Sequence, residues 1–384
     1  MIYFDHAASS FPKPEPVVKA VEEALLHYAA NPGRGSHQLA AGASKKIYKA
    51  RVKLASFFGL SDPKRVLFFQ NATGALNQAL KGFPFQKGDH VLSTSFEHNS
   101  VRRPLEFLKQ QSGIDATFLH ISSEGVFEPD KWEQALRPET KLITVTHASN
   151  LTGTILPLEE ISEFARSHGV KLLVDASQTA GVLPIHMEKM GIDMLAFPGH
   201  KGLLGPQGTG ALLVSKGNDL YPIFHGGTGS FSESIEQPEQ WPERFESGTL
   251  NTPGILGLAA GVDAVKEHGL EQIRKHEQQL TGQFIEGVKD IPGVELYGKN
   301  TSGGRLGVIS FSINGADCHE VAMILDMHYE MAVRAGLHCA PLAHEAIGTI
   351  TTGAVRVSFG HTNTEKEVEQ LVRAITEIAA GYNG

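Results

Sequence analysis

The sequence predicts an α/β protein in two parts, a large one on a mostly parallel seven-stranded sheet and a smaller α+β one at the C-terminal end. Three observations predict it. Short continuous apolar runs alternate with helical stretches between residues 65 and 215, as strands buried on both faces do. Near residue 253 the rhythm changes, and paired helical stretches lead into a separate set of strand-like runs. The 384 residues also exceed what one core usually supports, about 250–300 residues.

The elements follow in order. "EPVVKAVEEALLHYAA" puts Val17, Val18, Val21, Leu25 and Tyr28 on one helical face, with prolines only at its start. "GASKKIYKARVKLASFFG" (42–59) is a second amphipathic helix, closed by a glycine. Strands are expected at 65–69, 90–94, 116–121, 141–147, 171–175, 194–197 and 210–215, with a helix over 157–169 between two of them. Beyond residue 253 come two helical stretches, strands in "GVELYG" and "LGVISFSI", and a helix in "DCHEVAMILDM". A loop carrying Cys339, the strand "AVRVSF" and a helix from Thr364 complete the chain. This assigns 13–258 to the large domain and 259–384, with 1–12, to the small one.

Composition narrows the function. Hydrophobic residues at 41% and charged residues at 20% fit a globular chain and not a disordered one. A net charge of −8 leaves no basic footprint for nucleic acid. Two cysteines make no disulfide framework, so a reducing, cytoplasmic setting is expected. "MIYFDHAASSFPKPEP" lacks the pattern of a signal peptide, and no apolar run is long enough for a bilayer. Eighteen histidines show no H-E-x-x-H spacing, and C-x-x-C is missing, so no metal site is expected.

In open α/β sheets, ligands sit beyond the carboxyl ends of the strands. Several polar residues fall there: Asp175 and Gln178 in "KLLVDASQTAG", His200 and Lys201 in "LAFPGHKGLLG", Thr73 and Gly74 in "FFQNATGALN", His98 in "STSFEHNSV" and Asn150 in "VTHASNLTG". Singly, each has an ordinary explanation: a Thr-Gly pair is usually an N-cap, and a lysine in a glycine turn is usually solvated. Together they suit one ligand, pyridoxal 5′-phosphate (PLP). Its aldehyde needs a lysine (Lys201), and its pyridine nitrogen needs a carboxylate (Asp175) to stay protonated. Its phosphate suits a helix N-terminus with a hydroxyl (Thr73, Gly74), and its ring suits a flat partner (His98). Gln178 and Asn150 are candidates for its phenolic oxygen.

The run N-A-T-G, E-H-N-S, S-N-x-T-G, D-A-S-Q and G-H-K closely resembles class V aminotransferases of PLP-dependent transferase fold-type I. Within that group, "RAGLHCAP" is similar to the cysteine loop of cysteine desulfurases and selenocysteine lyases. The resemblance extends from "YFDHAASSFPKP" to "VRVSFGHTNTEKEVEQLV". It implies that Lys201 holds PLP, that Asp175 pairs with the pyridine, that His98 stacks on the ring and that His200 binds phosphate. "FESGTLNTPG" is similar to the segment that reaches a neighbouring subunit's phosphate, so Gly248 and Thr249 imply a homodimer with shared sites. Arg356 matches the arginine that grips the substrate carboxylate, and "NPGRGSH" offers Arg34 and His37 for lesser roles. Pro198 departs from the pattern: many relatives have serine there, and proline has neither hydroxyl nor N–H.

Cys339 selects among the chemistries of such a site. Free cysteines are usually buried, which suits Cys318 in its amphipathic stretch. The segment around Cys339 lacks apolar periodicity and carries Arg334, His338 and His344, cationic neighbours that favour a thiolate. The implied reaction converts L-cysteine to L-alanine, with Lys201 taking the α-proton, His98 shuttling protons and Cys339 becoming a persulfide. The short loop between Arg334 and Pro341 is similar to that of desulfurases that rely on a dedicated sulfur-acceptor protein. Three alternatives remain open: a lyase for L-selenocysteine; an aminotransferase or epimerase in which Cys339 is incidental; and a scaffold for a sulfur carrier, which would not need the Lys201–Asp175 pair.

Overall fold

All seven runs expected as strands form one sheet. A computed structural model describes every residue except Arg34, Ser36, Ser123, Phe231 and Gly384. The chain opens with β1 (Ile2–Tyr3), α1 (Glu15–His27), α2 (Gln38–Phe57), β2 (Val66–Phe69), α3 (Ala72–Lys81), β3 (His90–Thr94), α4 (Asn99–Ser112) and β4 (Asp115–Leu119). It continues through α5 (Pro129–Ala135), β5 (Thr140–Thr146), α6 (Leu158–Ser167), β6 (Lys171–Asp175), α7 (Met187–Met190), β7 (Met194–Pro198) and β8 (Gly210–Val214). Then follow α8 (Thr252–His268), α9 (Leu270–Val288), β9 (Val294–Tyr297), β10 (Val308–Ile313) and α10 (Cys318–Tyr329). The last elements are β11 (Met331–Ala332), β12 (Arg334–Gly336), α11 (Pro341–Ala346), β13 (Ala354–Ser358) and α12 (Glu365–Asn383).

The large sheet has the order β2-β8-β7-β6-β5-β3-β4. β8 runs antiparallel to both neighbours, and the other pairings are parallel. Successive residues of the inner strands supply two cores, because side chains alternate faces with a period of two. Leu92, Ile143, Leu172, Val174 and Leu195 join one core with Leu54 of α2 and Val262 of α8. Val91, Leu142, Leu173 and Met194 join the other with Leu76 of α3 and Leu105 of α4. The apolar runs were continuous because both faces are covered. From β4 the chain crosses over β3 to reach β5 and then moves the other way, so a switch point lies between β3 and β5.

A second, antiparallel sheet, β12-β13-β10-β9, packs with α9, α10 and α12 around Phe284, Phe311, Val357 and Leu371. Phe4 enters this C-terminal core, and β1 pairs with β11. α8 runs unbroken through residues 258 and 259, so the division expected there falls inside a helix. Leu258 and Val262 pack in the same core as the large sheet.

The expected face of α1 needs correction. Val17 and Ala24 are its buried residues, whereas Val18 is 57% exposed and Leu25 60%. Residues 17, 21, 24 and 28 form the inward stripe, and α8 packs along the helix. Val17, Val21 and Tyr28 of the expected face lie on that stripe, and only Val18 and Leu25 turn away from it.

Candidate active site

Topology brings the strand ends together. Asp175 closes β6, pairs in register with Thr146 of β5 and Ala196 of β7, and is 2% exposed. Its Oδ1 accepts a hydrogen bond from Ser177 N at 2.9 Å. Lys201 follows β7 on a turn that α8 approaches closely: a Cβ on Gly261 would collide with the Leu203 carbonyl. Burial above all, with Arg356 and Arg334, lowers the Lys201 amine to about 8 against the opposing pull of Asp175 and Asp5. The amine therefore has a substantial neutral, nucleophilic fraction near neutral pH.

His98 caps α4. Its Nδ1 accepts from Ser100 N at 3.0 Å, so the ring proton resides on Nε2. Burial depresses its basicity, with Asp175 acting in the opposite sense. The Ser100 hydroxyl joins His98 Nδ1 at 2.9 Å to the Thr73 hydroxyl at 2.8 Å, linking the starts of α4 and α3. Ser100 stood in the E-H-N-S motif, yet nothing in the sequence marked it as a bridge. The adjacent Glu97 was also missed. It is fully buried, accepts from Thr94 Oγ1 and Thr146 N, and is held up at about 8 chiefly by burial.

The Cys339 loop crosses these strand ends. Asn99 N donates to Cys339 O at 2.8 Å, and Asn150 Nδ2 donates to His338 O at 2.7 Å. Only residues 337–340 separate β12 from α11. His338 (φ 50°) and Cys339 (φ 57°) are both left-handed without being glycine, a strained pair that persists only where surroundings fix it. The Cys339 side of the loop is exposed. The charge expected on its histidines is absent. Burial drives His338 far down and His344 to about 4, so both are neutral, stacked 5.6 Å apart. Two of the three cationic neighbours expected are therefore uncharged.

Arg356 is 1% exposed and already engaged: NH1 donates to Asn150 O at 2.9 Å and NH2 to Asp5 Oδ1 at 2.8 Å. Arg334 is its register partner on the neighbouring strand. Two guanidinium groups therefore lie side by side with a resident acid, Asp5, which is 351 residues away from Arg356 in sequence and was not anticipated.

Gln178 donates to Ala7 O at 3.2 Å. The His200 carbonyl takes bonds from Lys13 Nζ at 2.8 Å and Ser10 N at 3.0 Å, while burial lowers its ring to about 4. Gly74 N is bound by Asn71 Oδ1 at 2.8 Å, which leaves Thr73 as the polar side chain at the mouth of α3. Pro198 is the last residue of β7, paired with Gly210. Gly248 and Thr249 stand apart, lining clefts that contain none of Lys201, Asp175 or His98. A buried ion pair between Arg51 of α2 and Glu246, which also accepts from Phe68 N at 2.7 Å, fixes that segment. His37 is an exposed cap on α2, accepting from Ala40 N at 3.3 Å. Arg34 lies outside the described residues.

These residues fit pyridoxal 5′-phosphate. Among the described residues, Asn150 Oδ1 and His200 Nδ1 are buried polar atoms without a hydrogen-bond partner, and the site also holds a lysine lowered to about 8 and an enclosed carboxylate. No group of three or more His, Cys, Asp or Glu among the described residues is arranged for a metal ion. No helix among them is long and apolar enough to cross a membrane.

The family model of class-V aminotransferases matches residues 2–371, and the chain belongs to that family. Its relatives are cysteine desulfurases. A probable cysteine desulfurase of Methanothermobacter thermautotrophicus is 38% identical, over 98% of this chain and 94% of that protein. A cysteine desulfurase of Cronobacter sakazakii is 32% identical, over 98% and 93%. Among solved structures, the apo cysteine desulfurase of Thermococcus onnurineus superposes with a TM-score of 0.92 at 34% identity, covering 99% of this chain and 95% of that one.

Proposed function

We propose that the protein is a PLP-dependent cysteine desulfurase in which Cys339 takes sulfur from L-cysteine as a persulfide. The observation that carries this is the attachment of the Cys339 loop to Asn99 and Asn150, the first next to His98 and the second bonded to Arg356. When bound, the cofactor draws electrons from the α-carbon of an amino acid. Lys201 would hold its aldehyde, and its Nζ would accept the α-proton of the substrate. Asp175 would keep the pyridine nitrogen protonated. Thr73, Gly74 and His200 would hold the phosphate, Gln178 and Asn150 the phenolic oxygen, and His98 the ring. Arg356 and Arg334 would orient the substrate carboxylate.

Cys339 Sγ, as thiolate, then attacks the substrate sulfur. The S–S bond forms as the C–S bond breaks, and the carbon skeleton takes up protons and leaves as L-alanine. His98, neutral with its proton on Nε2, is placed to exchange one of them. The persulfide passes to a thiol, and the short loop suits delivery to an acceptor protein. The test is equal release of alanine and sulfide from L-cysteine in the presence of a thiol reductant. Consumption of a keto acid without sulfide would sink the reading.

We further propose a homodimer in which Gly248 and Thr249 serve the partner's phosphate. Their separation from Lys201 supports this, as do the exposed Val18, Leu25 and Leu26 on α1. Mixing Lys201→Ala with Thr249→Ala subunits should then regenerate one intact site per mixed dimer. Activity should rise above that of either parent; no gain on mixing would exclude shared sites.

A further inference from the structure

Beside Lys201, the N-terminal segment, α9 and the chain around Ser358 line a partly open cavity of about 50 Å³. Lys201, Gln178, His6, Glu277 and His361 all contribute to its wall. One of these is a buried polar atom in need of a partner: His6 Nε2 is enclosed and unbonded among the described residues. Glu277, 8% exposed, brings a carboxyl whose shift has burial as its one cause. Leaving such groups dry is costly. The cavity has room for about three waters, taking about 15 Å³ for each. His361 reaches outward from it, edge-on to His268 at 5.1 Å between ring centroids, and His268 is exposed at the end of α8.

We propose that this cavity holds a chain of ordered waters that carries protons between Lys201 and solvent. His6 and Glu277 act as relay groups, with His361 and His268 at the outer end. The inference rests on the assignment of Lys201 as acceptor of the substrate α-proton. For each proton that Nζ releases to the nearest water, one is handed along the chain and one emerges at His268. Only N–H and O–H bonds change, and nothing is oxidised or reduced.

The protonation states suit this. Burial holds Glu277 up at about 8 and lowers His6 and His361 to about 4. Near neutrality all three are uncharged; Glu277 and His361 then each carry both a donor and an acceptor, and His6, whose ring also bonds the Tyr3 backbone, offers Nε2 to a water. A charged carboxylate or imidazolium would offer only one.

The test uses the cofactor-loaded protein in heavy water with L-alanine, following wash-in of deuterium at the α-carbon. Glu277→Gln keeps a group that binds water but cannot release a proton, and His6→Phe fills part of the cavity. Each should slow wash-in by about tenfold or more. Two readouts do not depend on turnover. A high-resolution crystal structure should show waters bonded to His6 Nε2 and Glu277. The infrared carbonyl band of a protonated carboxyl should be present at neutral pH and diminish in Glu277→Gln. A dry cavity, wild-type exchange in Glu277→Gln, or no change in that band would each overturn the relay. If borohydride fails to fix the cofactor on Lys201, the site assignment itself fails; fixed cofactor with unaltered exchange defeats the relay alone.

Discussion

Replacing Cys339 by alanine is expected to lower alanine and sulfide formation from L-cysteine by about a thousandfold or more, while borohydride still fixes the cofactor on Lys201. The size follows from the lack of a substitute. The other thiol, Cys318, is buried, donates to Thr352 O at 3.2 Å and has its acidity weakened by burial. Water would have to attack sulfur in place of a soft thiolate. Mass spectrometry of the wild-type protein after one turnover should show one added sulfur on the peptide containing Cys339, and none in Cys339→Ala. A variant that kept full activity on cysteine would remove the nucleophile assignment while leaving the fold and cofactor site untouched.

Lys201→Ala should abolish borohydride-stable attachment of the cofactor altogether, and the wild-type lysine should show an unusual pH profile. Its amine is lowered from 10.5 to about 8. Only the neutral amine attacks an aldehyde, so the rate of attachment to the cofactor-free chain should climb about tenfold per pH unit and level near 8. An ordinary lysine would keep climbing toward 10.5. The same shift has a stability consequence. Between about 8 and 10.5 the unfolded chain binds more protons at this position than the folded one, so the contribution of Lys201 to stability rises with pH across that window. Stopped-flow absorbance at the cofactor band reads the first effect. A plateau well above pH 9 would show that the pocket does not depress this amine.

Much of the site was legible because it hangs on strand ends. Asp175, Lys201, His98 and Asn150 each follow a strand buried on both faces, and such strands announce themselves as unbroken apolar runs bounded by turns. The shorter strands did not. β1, β11 and β12 have too few residues to carry any period, and they exist because the N-terminal segment and the Cys339 loop find edges to pair with. The face of α1 was misjudged at Val18 and Leu25 for a related reason: helical periodicity ranks faces by side-chain type, while burial goes to the face that α8 meets.

The sequence alone determined the seven strands of the large sheet, the polar residue types at their carboxyl ends and the presence of a thiol on a short loop, since these are properties of local pattern and spacing. Tertiary structure alone decided that His338 and His344 are neutral, that Asp5 occupies Arg356, and that Ser100 joins Thr73 to His98. Charge state and partnership depend on burial and on residues distant in the chain, and neither is written in any local stretch.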